Sequence, residues 1–414
     1  MKVREKAAHR SSFGSVTRGL VLLAVSLSAI SPANAQTRAV AERGSSASAP
    51  VIEEAEPAPA PAAAQTPAPD GFTVGGFVFK PGGRVKLDII RDFKPITSED
   101  SFDPRTIPTD GSEGVNSNIH AKETRLFLDI RGPVEGSELR MYVETDFYGS
   151  SSTLRLRHAY GSYKGLLAGQ TWSTFVDDAN MPNTIDFESP MAFPSVRQAQ
   201  LRFTKKLGDT ASWSAAVEDN KSTITLPSTP GKAEYPMPDL VARVRSDGPR
   251  LHTFVSGFLG WARFRPTTGD VDDQTLWGID LSGKLKTVGK DTVYSQYTFG
   301  EGIGRYRGGV TAVPDFNGEL HAPMTHAIMA GYEHYWVPVV STNIVYGLST
   351  APAEDFYAGT ANQRLDYFAV NLLYWFLPDR AWAGVEYLHG RREVFSGAAG
   401  DADRIQFAVR FNLP

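Results

Sequence analysis

Basic side chains recur in short segments of the chain where apolar and polar residues alternate. Arginine is suited to carboxylates because its planar guanidinium presents parallel N–H donors to both oxygens. The basic residues that share this context are Arg84, Lys86, Arg125, Arg140, Arg155, Arg157, Arg202 and Arg243. A surface that gathered them would attract small anions, so they are candidate pore-lining and anion-attracting residues.

A second charged group is acidic and lies in one stretch without alternation. Residues 173–195 include Asp177, Asp178, Asp186 and Glu188. An acidic loop opposite a basic wall would set up a transverse field between them, which would orient dipolar solutes and slow apolar ones. We therefore expect these four carboxylates to belong to a loop that folds inward and narrows a passage.

The arginines allow two interpretations that the residues alone leave open. Arg125, Arg140, Arg155 and Arg157 could form a wall that attracts carboxylates. Alternatively, they could pair with inward acidic residues and brace the fold. The candidate partners for bracing are Asp129, Glu144 and Asp146.

The elements that would carry these residues have the period of a β-strand. Apolar and polar residues swap at every step in RVKLDIIRDF (84–93), ETRLFLDIR (123–131), ELRMYVETDF (138–147) and RIQFAVRFNLP (404–414). In the first of these, Val85, Leu87 and Ile89 share one face. A period of two, rather than 3.6, predicts an all-β fold.

Connection lengths distinguish a membrane barrel from a soluble sandwich. Tight turns are predicted at 132–137, 163–165, 206–209, 246–249, 287–290, 337–339 and 377–380. Longer connections are predicted at about 94–121, 173–195, 220–237, 264–273, 301–323, 350–364 and 391–402, and a short one at Gly149–Ser152. Such alternation is typical of an antiparallel transmembrane β-barrel, here of about sixteen strands of roughly ten residues.

The cost of placing charge in lipid assigns the two faces of each strand. A cation facing lipid at the midplane costs about 2–4 kcal/mol, so turning Arg155 and Arg157 outward would cost roughly 4–8 kcal/mol. The charged faces are therefore predicted to line a water-filled lumen. The aromatic residues Trp336, Trp375, Phe376 and Trp382 flank tight turns and are expected in an interfacial girdle, with ordinary core packing as the alternative.

The N-terminus predicts export from the cytoplasm. Residues 1–35 combine five basic residues, an apolar run from Leu20 to Ile30 and the small-x-small site Ala33–Ala35, as in a cleaved signal peptide; a short membrane anchor is the alternative. Removing these five basic residues and Glu5 changes the formal net charge from −4 to −8. Residues 36–70 are Ala- and Pro-rich and predict a periplasmic linker, either a plain spacer or a tail reaching toward the cell wall. Residues 71–414 are the predicted barrel.

Composition and motifs argue against several other classes of protein. The net charge of −4 and the lack of a long basic run disfavour nucleic-acid binding. A mean hydropathy of −0.25 is too polar for a bundle of membrane helices. The chain has no cysteine, which agrees with export. It contains neither HExxH nor a GxSxG elbow, and no metal or cofactor is expected, so an outer-membrane hydrolase is disfavoured. An adhesin or structural barrel, and a sugar-specific porin, are further alternatives.

Residues 154–204 carry a more specific signal. LRLRHAYGSYKG, LAGQTWSTFVDDANMPNTIDFESP and VRQAQLRFT follow one another there and resemble the DcaP-like family of trimeric outer-membrane porins. The resemblance implies a barrel of about sixteen strands, a trimer and a preference for small carboxylates, dicarboxylates especially. Two features depart from the family pattern: residues 36–70 show no heptads, and the chain ends in Asn412-Leu413-Pro414 rather than in Phe.

Together these observations predict a porin in the outer membrane of a Gram-negative bacterium. The expected protein is a homotrimer surrounded by membrane lipids. It would form a water-filled channel for passive uptake of small hydrophilic solutes, anionic ones such as dicarboxylates.

Overall fold

The computed structural model describes residues 71–220, 230–307, 311–315, 317–354 and 357–413, apart from the side chain of Arg307. The predicted signal peptide (1–35) and linker (36–70) lie outside these residues. The first strands are β1 (Phe72–Val74), β2 (Phe77–Asp92), β3 (Asn116–His120), β4 (Arg125–Val134), β5 (Ser137–Asp146), β6 (Arg155–Tyr163), β7 (Leu166–Trp172), β8 (Arg197–Leu207), β9 (Ala211–Glu218) and β10 (Gly231–Glu234).

The remaining strands are β11 (Asp239–Asp247), β12 (Leu251–Pro266), β13 (Asp272–Lys286), β14 (Thr292–Glu301), β15 (Val313–Pro314), β16 (Leu320–His321), β17 (Met324–Val337), β18 (Val340–Thr350), β19 (Asn362–Leu377), β20 (Ala381–Val394) and β21 (Ala399–Asn412). A four-residue helix, α1, spans Gly304–Arg307, and 3-10 turns span Pro104–Thr106, Ser150–Ser152 and Asp178–Asn180. Among the described residues no helix is long and apolar enough to cross a bilayer.

The strands close into a single antiparallel barrel. Each barrel strand pairs with the next one around the wall, and β2 pairs with β21 to complete the circle. β15 and β16 form a separate two-stranded sheet. β3 and β4 are two parts of one barrel strand, since β2 pairs with both, and β10 and β11 likewise both pair with β12. The short β1 pairs with the first residues of β2 and is not counted as a wall strand. The barrel therefore has sixteen strands, which confirms the predicted fold class.

The predicted assignment of faces is also observed. In β21, Ile405 and Phe407 point outward and are 42% and 41% exposed, whereas Arg404 and Gln406 point inward and are 0% and 1% exposed. Val85, Leu87 and Ile89 of β2 are likewise exposed on the outer wall. Apolar residues thus cover the outside of the barrel and charged residues its lumen, as the cost of charge in lipid requires.

Short and long connections sort to opposite ends of the barrel, with two corrections. The connections predicted to be long at 264–273 and 391–402 are short, because β12 continues to Pro266 and β20 continues to Val394. Outward-facing ion pairs support these extensions, such as Arg263–Asp273 at 2.6 Å and Arg391–Asp401 at 3.4 Å. Charged strand ends of this kind lie beyond the apolar belt, so sequence composition alone made them resemble loops.

The predicted aromatic girdle is only partly correct. Trp336 is 64% exposed on the outer wall and Phe376 is 37% exposed there. Trp375 and Trp382 instead lie on the lumen side of β19 and β20, where the guanidinium of Arg410 is 5.8 Å and 4.9 Å from their ring centroids. Trp375 is two residues from the inward-facing Leu373 on the same strand, so it faces the lumen as well. Trp382 is directly opposite the inward-facing Arg410 on β21.

Three long connections fold into the lumen and form the core of the protein. They are loop A (93–115), the constriction loop (173–196) and loop B (302–323), the last including α1, β15 and β16. Phe102 of loop A packs against Tyr367 of β19, with ring centroids 6.1 Å apart. Phe175 of the constriction loop contacts Phe258 of β12 at 5.2 Å and Tyr306 of loop B at 4.6 Å. The sequence predicted only the constriction loop to fold inward.

Loop A is also tied at the long-loop end. Its Asp100 carboxylate accepts hydrogen bonds from Asn118 Nδ2 at 2.8 Å and from the Lys122 ammonium. Burial acts to raise the pKa of Asp100, but the bonds from Lys122 and Asn118 outweigh it and hold this pKa below its usual range. The loop is thus held by a charged anchor as well as by its apolar contacts.

Buried carboxylates hold the constriction loop against the far wall. Glu386 of β20 accepts the backbone N–H of Ile185 at 2.9 Å and that of Asp186 at 2.7 Å. Asn371 Nδ2 donates to Glu386 at 3.0 Å and to the carbonyl of Asn183 at 2.8 Å. Glu386 therefore anchors the point at which the loop crosses to the C-terminal strands.

Replacing this anchor should loosen the constriction loop. In Glu386→Ala the N–H groups of Ile185 and Asp186 lose their acceptor, at a cost of about 1–3 kcal/mol for each group left unsatisfied. We expect a larger and noisier single-channel conductance in a planar bilayer. The matched control is Glu393→Ala, on the outward face at the long-loop end of the same strand. A folded Glu386→Ala protein with an unchanged, quiet conductance would contradict the anchoring role.

Candidate functional site

A cavity of about 530 Å³ lies between the inward-folded loops and the wall formed by β4 to β8. Its lining includes the guanidinium groups of Arg105, Arg125, Arg155, Arg157, Arg197 and Arg305. Three carboxylates also line it, those of Glu144, Asp178 and Glu188. The lining therefore presents six cationic groups and three anionic groups to the passage, while the carboxylates of Asp103, Asp146 and Asp239, which pair with Arg105, Arg155 and Arg305, lie behind it. We call this cavity, with its six arginines, the arginine constriction.

A β-bulge in β6 shapes the wall of the arginine constriction. Glu144 of β5 pairs with His158, but the next residue, Thr145, pairs with Leu156, so Arg157 has no partner across the ladder. The extra residue lets Arg157 and His158 both point inward, 3% and 8% exposed. Bulges re-aim side chains in this way, and simple alternation would have turned His158 toward lipid.

Several wall arginines are paired with carboxylates. Arg157 donates from Nε to Glu144 at 2.7 Å and from Nη1 to Asp146 at 2.8 Å. Arg155 bonds Asp146 bidentately, at 3.0 and 2.7 Å, and Arg125 lies 3.7 Å from Glu144. This is the bracing pattern considered above, and all three guanidinium groups nevertheless line the cavity.

Other arginines on the lumen side have no carboxylate partner. Within the described residues, no carboxylate lies within the 4.0 Å ion-pair limit of Arg197, Arg202 or Arg243. Arg197 instead stacks over Trp172, with its guanidinium carbon 4.3 Å from the ring centroid. Arg243 has a bond to Ser214 at 3.4 Å, and the Nε of Arg202 has no hydrogen-bond partner. Their N–H groups can bind a mobile anion.

The four carboxylates expected in the constriction loop divide into two pairs with different roles. Asp178 and Glu188 line the cavity, as expected. Asp177 is buried behind the loop, where it accepts hydrogen bonds from His252 at 2.9 Å and Ser282 at 2.7 Å.

Asp186 is equally remote from the passage. It accepts the N–H of Phe102 at 2.9 Å and lies 3.5 Å from Arg404. Asp177 and Asp186 thus fasten the loop to the barrel and do not face the arginine wall.

The remaining candidate residues lie around the arginine constriction. Lys86 is 1% exposed and binds Glu123, Asp88 and the carbonyl of Ile185, so it braces the loop. Arg84 also bonds Glu123.

Arg140 bonds Asp129 bidentately at 2.9 and 3.0 Å and lines a second cavity of about 560 Å³, nearer to the tight-turn end. Tyr142 lines this second cavity and donates to Glu144 at 2.8 Å, so it stands between the two cavities.

Three arginines of the constriction were not among the sequence candidates. Arg105 comes from loop A and Arg305 from α1 in loop B. Nothing in the sequence of these loops shows that they fold inward. Arg197 is the first residue of β8 and is followed by the alternating QAQLRFT, so extending that strand pattern by a few residues would have found it.

Comparisons with known proteins agree with this geometry. The family model described as DcaP outer membrane protein matches residues 74–413. The crystal structure of the outer membrane channel DcaP of Acinetobacter baumannii is similar, with a TM-score of 0.75 and 25% identity; the match covers 83% of this chain and 99% of that one. No curated protein sequence matches the chain.

More distant structures share the fold alone. The anion-selective porin from Comamonas acidovorans has a TM-score of 0.57 and 11% identity over 81% of this chain and 99% of that chain. OmpT of Vibrio cholerae has a TM-score of 0.54 and 13% identity, and the match covers 83% of this chain and 99% of that chain. The resemblance predicted from residues 154–204 is confirmed by the family match over nearly the whole barrel: the chain belongs to the DcaP family of outer membrane proteins.

Proposed function

We propose that this protein is a porin that conducts small anions passively across the outer membrane, and that it is a channel rather than an enzyme. The observation that carries the proposal is the arginine constriction, where six arginines face three carboxylates. Cationic groups that face a narrow, water-filled passage with low-dielectric walls raise the local concentration of anions there. The channel named DcaP of Acinetobacter baumannii, which is 25% identical, supports the assignment to channels.

Small carboxylates, and dicarboxylates in particular, are the solutes we propose. Guanidinium groups bind carboxylates through two parallel N–H bonds. Arg197, without a carboxylate partner, and Arg155, bonded to Asp146 and 38% exposed at its side chain, line the same cavity. A dicarboxylate can engage more than one guanidinium at once and is thereby held more tightly than a monocarboxylate of the same size.

The assembly and route that we propose follow from sequence and family. The protein is a homotrimer surrounded by outer-membrane lipid. A distant structural neighbour of 12% identity, OmpT of Vibrio cholerae, has a trimer form, which supports this assembly. The signal peptide at residues 1–35 directs export from the cytoplasm of a Gram-negative cell. Residues 36–70 link the mature N-terminus, at Gln36, to the barrel from residue 71 onward.

Removing one unpaired cation should reduce anion preference. Arg197→Gln deletes a charge without leaving a carboxylate unpaired. One unit charge a few Å from the path changes the energies of an anion and a cation in opposite directions, each by about 0.5–1 kcal/mol in a watery pore, so we expect the anion-to-cation permeability ratio to fall roughly five- to thirtyfold. Reversal potential under a salt gradient measures this ratio. The control, Arg391→Gln on the outer wall, should not change it; an unchanged ratio in folded Arg197→Gln would refute the role of the constriction in selection.

Dicarboxylates should block the channel at lower concentrations than monocarboxylates. Single-channel recordings with added succinate or propionate compare the two, and we expect half-block by succinate at a concentration at least about tenfold lower, because a second charge-assisted contact contributes about 1.5–3 kcal/mol. Openings in groups of three would support the trimer. Anion-selective openings with equal block by both solutes would reject the dicarboxylate preference and leave the porin.

A further inference from the structure

The outer wall has an apolar depression that the passage of ions does not use. Ala215 of β9, Ala242 of β11 and Gly257 of β12 are opposite one another in the sheet and all face outward. Larger side chains, Phe203 of β8 and Ile279 of β13, continue the same row on either side. The result is a cavity of about 850 Å³ with an almost wholly apolar lining.

A cluster of charged side chains lies above this depression on the same part of the wall. Arg263 and Arg265 continue the outward face of β12 toward the long-loop end, and they pair with outward residues of β13 and β10. Arg263 bonds Asp273 at 2.6 and 2.9 Å, and Arg265 bonds Glu234 at 3.1 and 3.3 Å. Lys232 is exposed over 77% of its side chain and lies 3.9 Å from Glu234.

The spacing of the two features matches the depth of one membrane leaflet. Arg263 is six residues from Gly257 along β12, or roughly 20 Å at about 3.3 Å per residue. A strand tilt of about 40° makes this roughly 15 Å of depth, and half the hydrocarbon core is about 15 Å thick. Trp261 and Trp277, aromatic residues of the kind that favours the interface, lie between the two levels. The charged cluster is therefore at headgroup depth and the depression near the bilayer centre.

The arginines of this cluster keep donors for a further anion. Both use Nε and Nη2 for their carboxylates, and within the described part of the chain neither Nη1 has a partner. The three cations outnumber the two acids, Glu234 and Asp273. A second barrel packed here would strip water from five charged groups at high cost, whereas a hydrated headgroup layer would not.

We propose that this face is a binding site for a phosphate-bearing, multiply acylated lipid of the outer leaflet. The phosphate contacts Lys232, Arg263 and Arg265, and one acyl chain ends in the depression at Ala215, Ala242 and Gly257. The site is separate from the arginine constriction and does not depend on what the channel conducts.

Native mass spectrometry of the full-length protein in detergent tests the site, with lipid A carrying two phosphates as the probe. Arg263→Gln with Arg265→Gln removes the headgroup contacts. Gly257→Leu fills the depression, and it is unstrained because a Cβ there would meet only the carbonyl of Gly278, at 3.5 Å. The matched control is Arg364→Gln, which removes an outward arginine bonded bidentately to Asp366 on β19.

We expect the double arginine variant to weaken lipid A binding at least about tenfold, since charge-assisted bonds contribute about 1.5–3 kcal/mol each. Gly257→Leu should also weaken it, Arg364→Gln should not, and wild-type protein should bind dephosphorylated lipid A poorly. Wild-type affinity in both test variants, or equal loss in the control, would overturn the proposal. Dissociation of oligomers by Gly257→Leu would instead assign the face to a second copy. Conductance is measured separately. A protein that binds lipid A but does not conduct ions would contradict the proposed channel function and support the proposed lipid site.

Discussion

Hydrocarbon offers no hydrogen-bond partner to a peptide group, and the architecture of this protein depends on that constraint. Every backbone N–H and C=O at membrane depth must pair within the sheet, so the sheet closes through β2 and β21. Closure in turn fixes the two faces of each strand. Apolar side chains such as Phe407 face lipid, and charged side chains such as Arg404 have only the lumen available to them.

The lumen has to hold the inward-folded loops in place and still leave a passage beside them. Acidic and basic side chains serve both purposes. Glu386 and Asp186 accept backbone N–H groups, and they hold the loops against the C-terminal wall. On the opposite wall Arg157 bonds Glu144 and Asp146, and Arg155 bonds Asp146, which holds both guanidinium groups in place at the surface of the passage. Bracing and anion attraction are therefore two properties of one network, because an arginine that is paired on one edge still presents donors on the other.

Much of the fold could be predicted from sequence because membrane strands follow simple rules. Alternation assigned the faces of β2, β5 and β21, and the cost of charge in lipid placed Arg125, Arg155 and Arg157 in the lumen. The functional site was harder to predict from the sequence. Asp177 and Asp178 are neighbours in sequence, yet one fastens the loop to His252 and the other lines the passage, and only the path of the loop decides which. Arg105 and Arg305 were missed for the same reason, and the bulge at Arg157 breaks the alternation on which the prediction of faces relied.

The positions in the chain of the groups that hold the constriction loop carry a consequence for biogenesis. The loop is complete once residue 196 has been made, but its anchors Asn371, Glu386 and Arg404 belong to β19, β20 and β21. Contacts between segments about 200 residues apart in sequence form late, because closing so long a stretch of chain is entropically costly. The constriction loop therefore gains its full set of anchors only when the last three strands are in place, so the narrowing of the lumen depends on completion of the C-terminal wall.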